Sequence, residues 1–126
     1  MPTPRVFDQE TLDLFDRTIE VDIETRPGPD APARRTTIWV VVVDGRAYIR
    51  SYVGAAARWY RDVLALPAAA LIVGERHIPI RVVPAADAAS IAACSRGLMI
   101  KYANDPATRA MVREDVLATT LRLEPA

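Results

Sequence analysis

From Thr36 to Val43 every residue is β-branched or aromatic, in the order Thr-Thr-Ile-Trp-Val-Val-Val-Val. Such side chains crowd a helix and pack well on a pleated strand. Asp44-Gly45 follows directly, a pair that accepts the positive φ angles of a two-residue hairpin turn. The chain then returns as a second predicted strand from Ala47 to Tyr52. The outgoing strand is apolar at consecutive positions, so both of its faces need cover. In an antiparallel protein that places a barrel interior on one side and a helix or a second subunit on the other.

The other segments arrange themselves around this hairpin. Asp8 is placed to cap a helix running to about Asp16, with Phe7, Leu12 and Phe15 available for one face. Ile19, Val21 and Ile23 then alternate with Glu20, Asp22 and Glu24, which predicts a strand with one dry and one acidic face. Arg26 to Pro32 holds three Pro and one Gly and reads as a loop. Gly54 ends the hairpin, and Ala55 to Leu66 predicts a helix stopped by Pro67, with Trp59, Val63 and Leu66 on one stripe. A second hairpin is expected from Ala69–Val73 and His77–Val83 across Gly74-Glu75-Arg76. Pro84 and Asp87 introduce a helical region to about Ala103, Asp105-Pro106 restarts it, and Thr119 to Leu123 closes as a strand. Helices grouped rather than alternating with mainly antiparallel strands indicate an α+β fold, here one domain over residues 1–126. Five or six strands, the last returning after the helices, suffice to close a small barrel.

Charge and cysteine content narrow the function. The 16 cations balance 16 anions, so the basic excess of a nucleic-acid binder is missing. The balance is uneven along the chain. Residues 1–33 carry three cations and eight anions, whereas residues 34–61 carry six Arg against Asp44 alone. Fifteen of the sixteen cations are Arg, the exception being Lys101. Arg is the side chain suited to forked hydrogen bonds with anions. Cys94 stands alone in an apolar run, which excludes an intrachain disulfide and a cysteine-based zinc site. The longest apolar run, Ile38 to Val43, is far too short to span a bilayer, and the first ten residues lack the apolar core of a signal peptide. A soluble, cytoplasmic protein without membrane or nucleic-acid partners is the expectation.

Independent hydrolytic or metal chemistry finds little support. His77 is the sole histidine and lies beside a predicted turn, and no nucleophile-elbow pattern surrounds Ser51, Ser90 or Ser95. No glycine-rich phosphate loop is present. Asp44 or Asp62 with Glu75 as an acid–base pair is indicated by nothing in the spacing. An Arg- and hydroxyl-rich surface around the first hairpin remains. On a continuous strand Arg50 and Tyr52 share a face and Ser51 takes the other. Gly54 permits close approach of a ligand to the backbone, and the helix that follows offers free N–H groups to an anion. Arg58 lies in its first turns. Arg34, Arg35, Arg50, Arg58 and Arg61 read either as ordinary surface charges or as holders of an anion.

Taken together, the segments 35–45 and 48–52, Gly54 and Arg58-Trp59-Tyr60-Arg61 resemble an uncharacterised bacterial family, number 2255 among the domains of unknown function. The likeness continues through Leu71-Ile72-Val73-Gly74, Lys101-Tyr102 and Thr119 to Leu123, covering most of the chain from about residue 18. That family looks like a branch of the flavin-binding split barrels, which include pyridoxamine-phosphate oxidases and deazaflavin-dependent nitroreductases. The resemblance implies a six-stranded split barrel, a homodimer, and a flavin mononucleotide (FMN) or deazaflavin cofactor near the subunit interface. It assigns the cofactor phosphate to Arg35 with Thr36 or Thr37, to Ser51 beside Gly54, and to Arg58. Trp39, Tyr52, Trp59 and Tyr60 become ring-packing or dimer-contact residues. Two departures stand out. Val53-Gly54-Ala55-Ala56-Ala57 replaces the Gly-Lys-rich phosphate segment of the deazaflavin reductases, and Ala57-Arg58-Trp59 replaces the Ser-Arg-Lys signature of the oxidases. The implied activity is hydride transfer to a small organic substrate, the cofactor supplying the chemistry and no metal taking part. The alternative is a non-catalytic dimeric module that binds another anionic ligand.

Overall fold

The structure is a computed structural model and describes residues 5–126. Helix α1 spans Gln9–Arg17, and the Asp8 carboxylate caps it by accepting the Thr11 N–H at 2.9 Å. Its buried residues are Leu12 and Phe15, with Phe7 edge-on to Phe15 at 5.2 Å. Strand β1, Val21–Thr25, buries alternate residues as the sequence pattern requires.

The predicted strand from Thr36 to Val43 is divided. Its first part belongs to β2 (Arg34–Ile38), which pairs antiparallel with β1 from Val21–Ile38 to Thr25–Arg34. Its second part is β3 (Val41–Val43), which pairs with β4 (Arg46–Ile49) across Asp44-Gly45, at φ 52° and 77°. Two interactions hold the break. The Trp39 ring stacks on Tyr102 at 3.8 Å, and Lys101 Nζ donates to the Val40 carbonyl at 2.7 Å. Val40 then enters the main core and Val41 a second core with Cys94, Leu98, Tyr102 and Met111. The consecutive apolar run is thus covered on both faces.

Strand β4 stops at Ile49 instead of reaching Tyr52, because Arg50 turns inward and leaves the ladder. The predicted helix from Ala55 to Leu66 is a 3-10 turn at Gly54–Ala56 followed by helix α2, Arg58–Ala65. Strands β5 (Ala68–Val73) and β6 (Arg76–Pro84) form the second hairpin. Helix α3 spans Ala88–Lys101 behind the Asp87 cap, short helix α4 spans Thr108–Met111, and β7 spans Leu121–Pro125.

All strands join one antiparallel sheet in the order β2-β1-β5-β6-β7-β4-β3. The architecture is α+β, a curled split-barrel sheet with flanking helices. It has seven strands where six were expected, because the break at Trp39-Val40 makes two strands of one. That break matters for the site. The two edge strands are neighbours in sequence, so the curled sheet opens at the point where the chain steps from one edge to the other. Among the described residues no helix is long and apolar enough to cross a membrane.

Candidate functional site

A cavity of about 450 Å³ opens at this step. Strand β2 and the break contribute Thr36, Thr37, Ile38 and Trp39, and the segment after β4 contributes Arg50, Ser51, Tyr52 and Val53. Ala57, Arg58 and Trp59 come from the start of α2, Ala107 and Met111 from the α4 region, and Glu20 from the entry to β1. A roomier groove of about 640 Å³ lies beside α4 but gathers none of the residues predicted to bind a ligand.

Five of those predicted residues meet in the cavity: Thr36, Thr37, Ser51, Arg58 and Trp59. Arg58 is the first residue of α2 and is exposed, and no carboxylate pairs with it among the described residues. The residue before it is Ala57, which has no side chain able to cap the helix. The N–H groups of the first turn therefore lack intrahelical acceptors and receive no side-chain substitute. Their partial positive charge adds to that of Arg58. Trp59 is buried beside them, and Tyr60 packs edge-on against it at 6.1 Å without reaching the cavity.

The hydroxyl groups are partly engaged. Thr37 Oγ1 donates to Asp22 at 2.8 Å, whereas Thr36 is exposed and is free to donate. Ser51 is fully buried, and its hydroxyl donates to the Gly54 carbonyl at 2.6 Å while its N–H reaches Thr119 Oγ1. Gly54 has φ +78°, a left-handed conformation that glycine takes without strain, so its part is to shape this turn. It does not line the cavity, and neither does Arg35. Arg35 is held on β2 by Glu24 at 3.0 Å. Hydrogen bonds keep three carboxylates below their ordinary range: Asp8 through Thr11, Glu24 through Arg35 and then His77, and Asp87 through Ser90.

Arg50 is the residue that sequence reasoning placed wrongly. A strand extended to Tyr52 would set Arg50 beside Tyr52, yet Tyr52 is exposed and Arg50 is 1% exposed. Its Nε donates to Thr120 Oγ1 at 2.9 Å, Nη1 to Ser95 Oγ and the Met111 carbonyl, and Nη2 to the Ile91 carbonyl at 3.1 Å. All four acceptors are neutral. The adjacent Cys94 thiol supplies no counter-charge, since burial pushes it up to about 11 against the pull of Arg50. Trp39 and Tyr52, expected as ring-packing or dimer-contact residues, line the cavity, whereas Met111 and Ala107 were missed as its walls. Their only signal was the apolar character of a segment that the fold brings to the site from a distance.

The fold matches solved structures at low identity. The conserved hypothetical protein Rv2991 from Mycobacterium tuberculosis aligns with a TM-score of 0.63 at 13% identity, covering 100% of this chain and 84% of that chain. The heme storage protein HutZ from Vibrio cholerae gives 0.64 at 10% identity, over 96% of this chain and 91% of that one. An F420 reductase gives 0.58 at 17% identity, over 90% and 91%. These similarities show the fold, and no curated protein matches the sequence. The profile of a family described as uncharacterized proteins conserved in bacteria, DUF2255, matches residues 11–123, and the chain belongs to that family.

Proposed function

We propose that the cavity holds a phosphorylated planar heteroaromatic cofactor, FMN or a deazaflavin, and that the protein is an oxidoreductase acting on a small organic substrate. One observation carries this reading. An unpaired Arg58 and an uncapped helix end stand at a cavity whose walls include the apolar side chains of Ile38, Trp39, Trp59 and Met111 together with Glu20, Thr37, Arg50 and Ser51. A phosphate suits the first part and a flat ring the second. The residues present therefore fit such a group. Arg58, the α2 N–H groups and Thr36 would bind the phosphate, and the apolar walls would orient the ring and keep water from it. When bound, a flavin or deazaflavin supplies the hydride chemistry. Likeness in fold to an F420 reductase supports the same choice.

A homodimer belongs to this reading. Tyr52 and Val53, at the mouth of the cavity, are 53% and 62% exposed, an apolar pair that a second copy would cover.

The test is a check of the purified protein for a co-purified chromophore, followed by titration with FMN and with a deazaflavin. Binding at micromolar levels is expected, and Arg58→Ala should weaken it by about 1–3 kcal/mol, the range of a charge-assisted bond. Failure of both cofactors to bind would remove this reading. One observation favours the alternative of a non-catalytic module for another anionic ligand. Three expected phosphate ligands are already engaged, Arg35 by Glu24, Thr37 by Asp22 and Ser51 by the Gly54 carbonyl. Cofactor-dependent turnover would exclude that alternative.

A further inference from the structure

Three aromatic side chains and a single carboxylate line the cavity. Trp39, Tyr52 and Trp59 are the aromatic walls, so both Trp of the chain stand there. Glu20 is the acidic wall, and it is exposed, where a ligand can reach it. Every ion pair among the described residues involves other side chains. The β1–β2 register pairs Val21 with Ile38, which brings Glu20, one residue further out, alongside Trp39. The Tyr102 hydroxyl keeps its proton chiefly through burial, and the charge of Glu20 adds to that effect. The carboxylate therefore stands close to the Trp39–Tyr102 stack. Tyr102 covers one face of the Trp39 ring at 3.8 Å and does not itself line the cavity, so Trp39 meets the cavity on its uncovered side.

An aromatic ring attracts a cation placed within about 6 Å of its face, and Trp does so most strongly. A carboxylate beside the ring adds a full opposite charge and strong hydrogen-bond acceptors. Two cations also line the cavity. Arg50 is turned onto Thr120, Ser95 and the carbonyls of Ile91 and Met111, and Arg58 stands at the start of α2, where the phosphate of the proposed cofactor would cancel it. We infer that the cavity has an organic-cation subsite, distinct from the phosphate end at Arg58, where Glu20 receives an ammonium group and Trp39 and Tyr52 receive the apolar body that carries it. The substrate class of the proposed oxidoreductase is then an organic ammonium ion, and Glu20 would turn away an organic acid at this subsite. The inference rests on the proposed role of the cavity as the ligand site, and it does not depend on which cofactor occupies it.

Benzylamine, a cation at neutral pH, and its uncharged analogue benzyl alcohol, titrated against the full chain by calorimetry and by Trp fluorescence, test it. Benzylamine is expected to bind at least about tenfold more tightly than benzyl alcohol. Glu20→Asp should keep part of that preference and Glu20→Gln should abolish it. Glu75→Gln, which removes the same charge from an exposed turn outside the cavity, should leave it intact. Tyr52→Leu, which keeps an apolar wall and loses the ring, should reduce it. Equal binding of the two compounds by the wild type, no binding of either, a preference that survives Glu20→Gln, or one lost equally in Glu75→Gln would overturn the proposal. The wild-type comparison decides even if a variant does not fold. FMN is titrated in parallel. FMN binding without a benzylamine preference would sink this inference and leave the cofactor reading standing. A benzylamine preference without binding of FMN or a deazaflavin would do the reverse.

Discussion

Gly97 shows how closely one residue can fix the packing of two elements. A β-carbon there would lie 2.7 Å from Val43 Cγ2 and 3.1 Å from both Val41 Cβ and Cγ2. The neighbours are β-branched and stiff at χ1, so they cannot move aside without leaving their rotamers. Gly97→Ala is therefore expected to push α3 away from β3 and to cost about 1–3 kcal/mol of stability, as overpacking does. Urea unfolding checks this, and an unchanged midpoint would contradict it. Lys101 gives a second residue-level expectation. Its Nζ donates to the carbonyls of Phe15 and Val40 at 2.8 and 2.7 Å, and burial pushes its pKa down to about 8, with Asp16 opposing. The ordinary value is 10.5. Below about pH 8 both folded and unfolded chains hold the proton, and the burial penalty is present in full. Between there and about 10.5 the unfolded chain holds a proton that the folded chain has lost, so this group makes stability rise with pH. The stability of the wild type relative to Lys101→Gln should accordingly grow from pH 7.5 towards 10, measured by urea unfolding at each pH. A flat or falling difference would refute the assignment.

Among the elements, those with local causes were legible. The Asp8 cap, the Asp44-Gly45 turn, the alternation of β1 and the second hairpin each depend on residues a few positions apart. The break in the apolar run was not legible, because its causes lie far along the chain. Lys101, which donates to Val40, is 61 positions away, and the Trp39 ring stacks on the neighbouring Tyr102. The inward turn of Arg50 has the same origin, with partners 41 to 70 positions distant. At the site, the Arg58 end followed from a predicted helix start, whereas the depth and walls of the cavity followed from these two distant interactions. Tyr102 is the hinge of the first. Its hydroxyl donates to the Ile19 carbonyl at 2.7 Å while its ring carries Trp39, and burial raises its pKa so that the proton is retained. Tyr102→Phe should keep the stacked pair and cost about 0.5–1.5 kcal/mol for the lost bond. Tyr102→Ala should also loosen Trp39, raising its fluorescence accessibility to iodide and weakening FMN binding. Unaltered quenching in the Ala variant would show that the cavity wall does not depend on the stack.

For the molecule as a whole, the net charge of zero conceals a division of labour. The acidic first section and the basic segment 34–61 meet across β1 and β2, where Glu24 pairs with Arg35. Arg34 turns instead to buried Asp62, which also accepts from Thr25. With Arg50 internal, the cations of that segment free of ion pairs among the described residues are Arg46, Arg58 and Arg61. Only Arg58 of these three lines the cavity. The excess of positive charge is thereby reduced to one external point at the site, which suits a single phosphate better than an extended polyanion. The exposed pair Tyr52 and Val53 sits beside that point, so closure of the cavity and self-association are expected to be linked. Light scattering after gel filtration should give twice the 13.9 kDa chain mass at micromolar concentration. Val53→Glu, placing a desolvated charge at the contact, should shift the species to monomer and weaken FMN binding in the same titration, because the cavity then loses a wall supplied by the partner. A wild type that stays monomeric and binds FMN as tightly as Val53→Glu would refute the link.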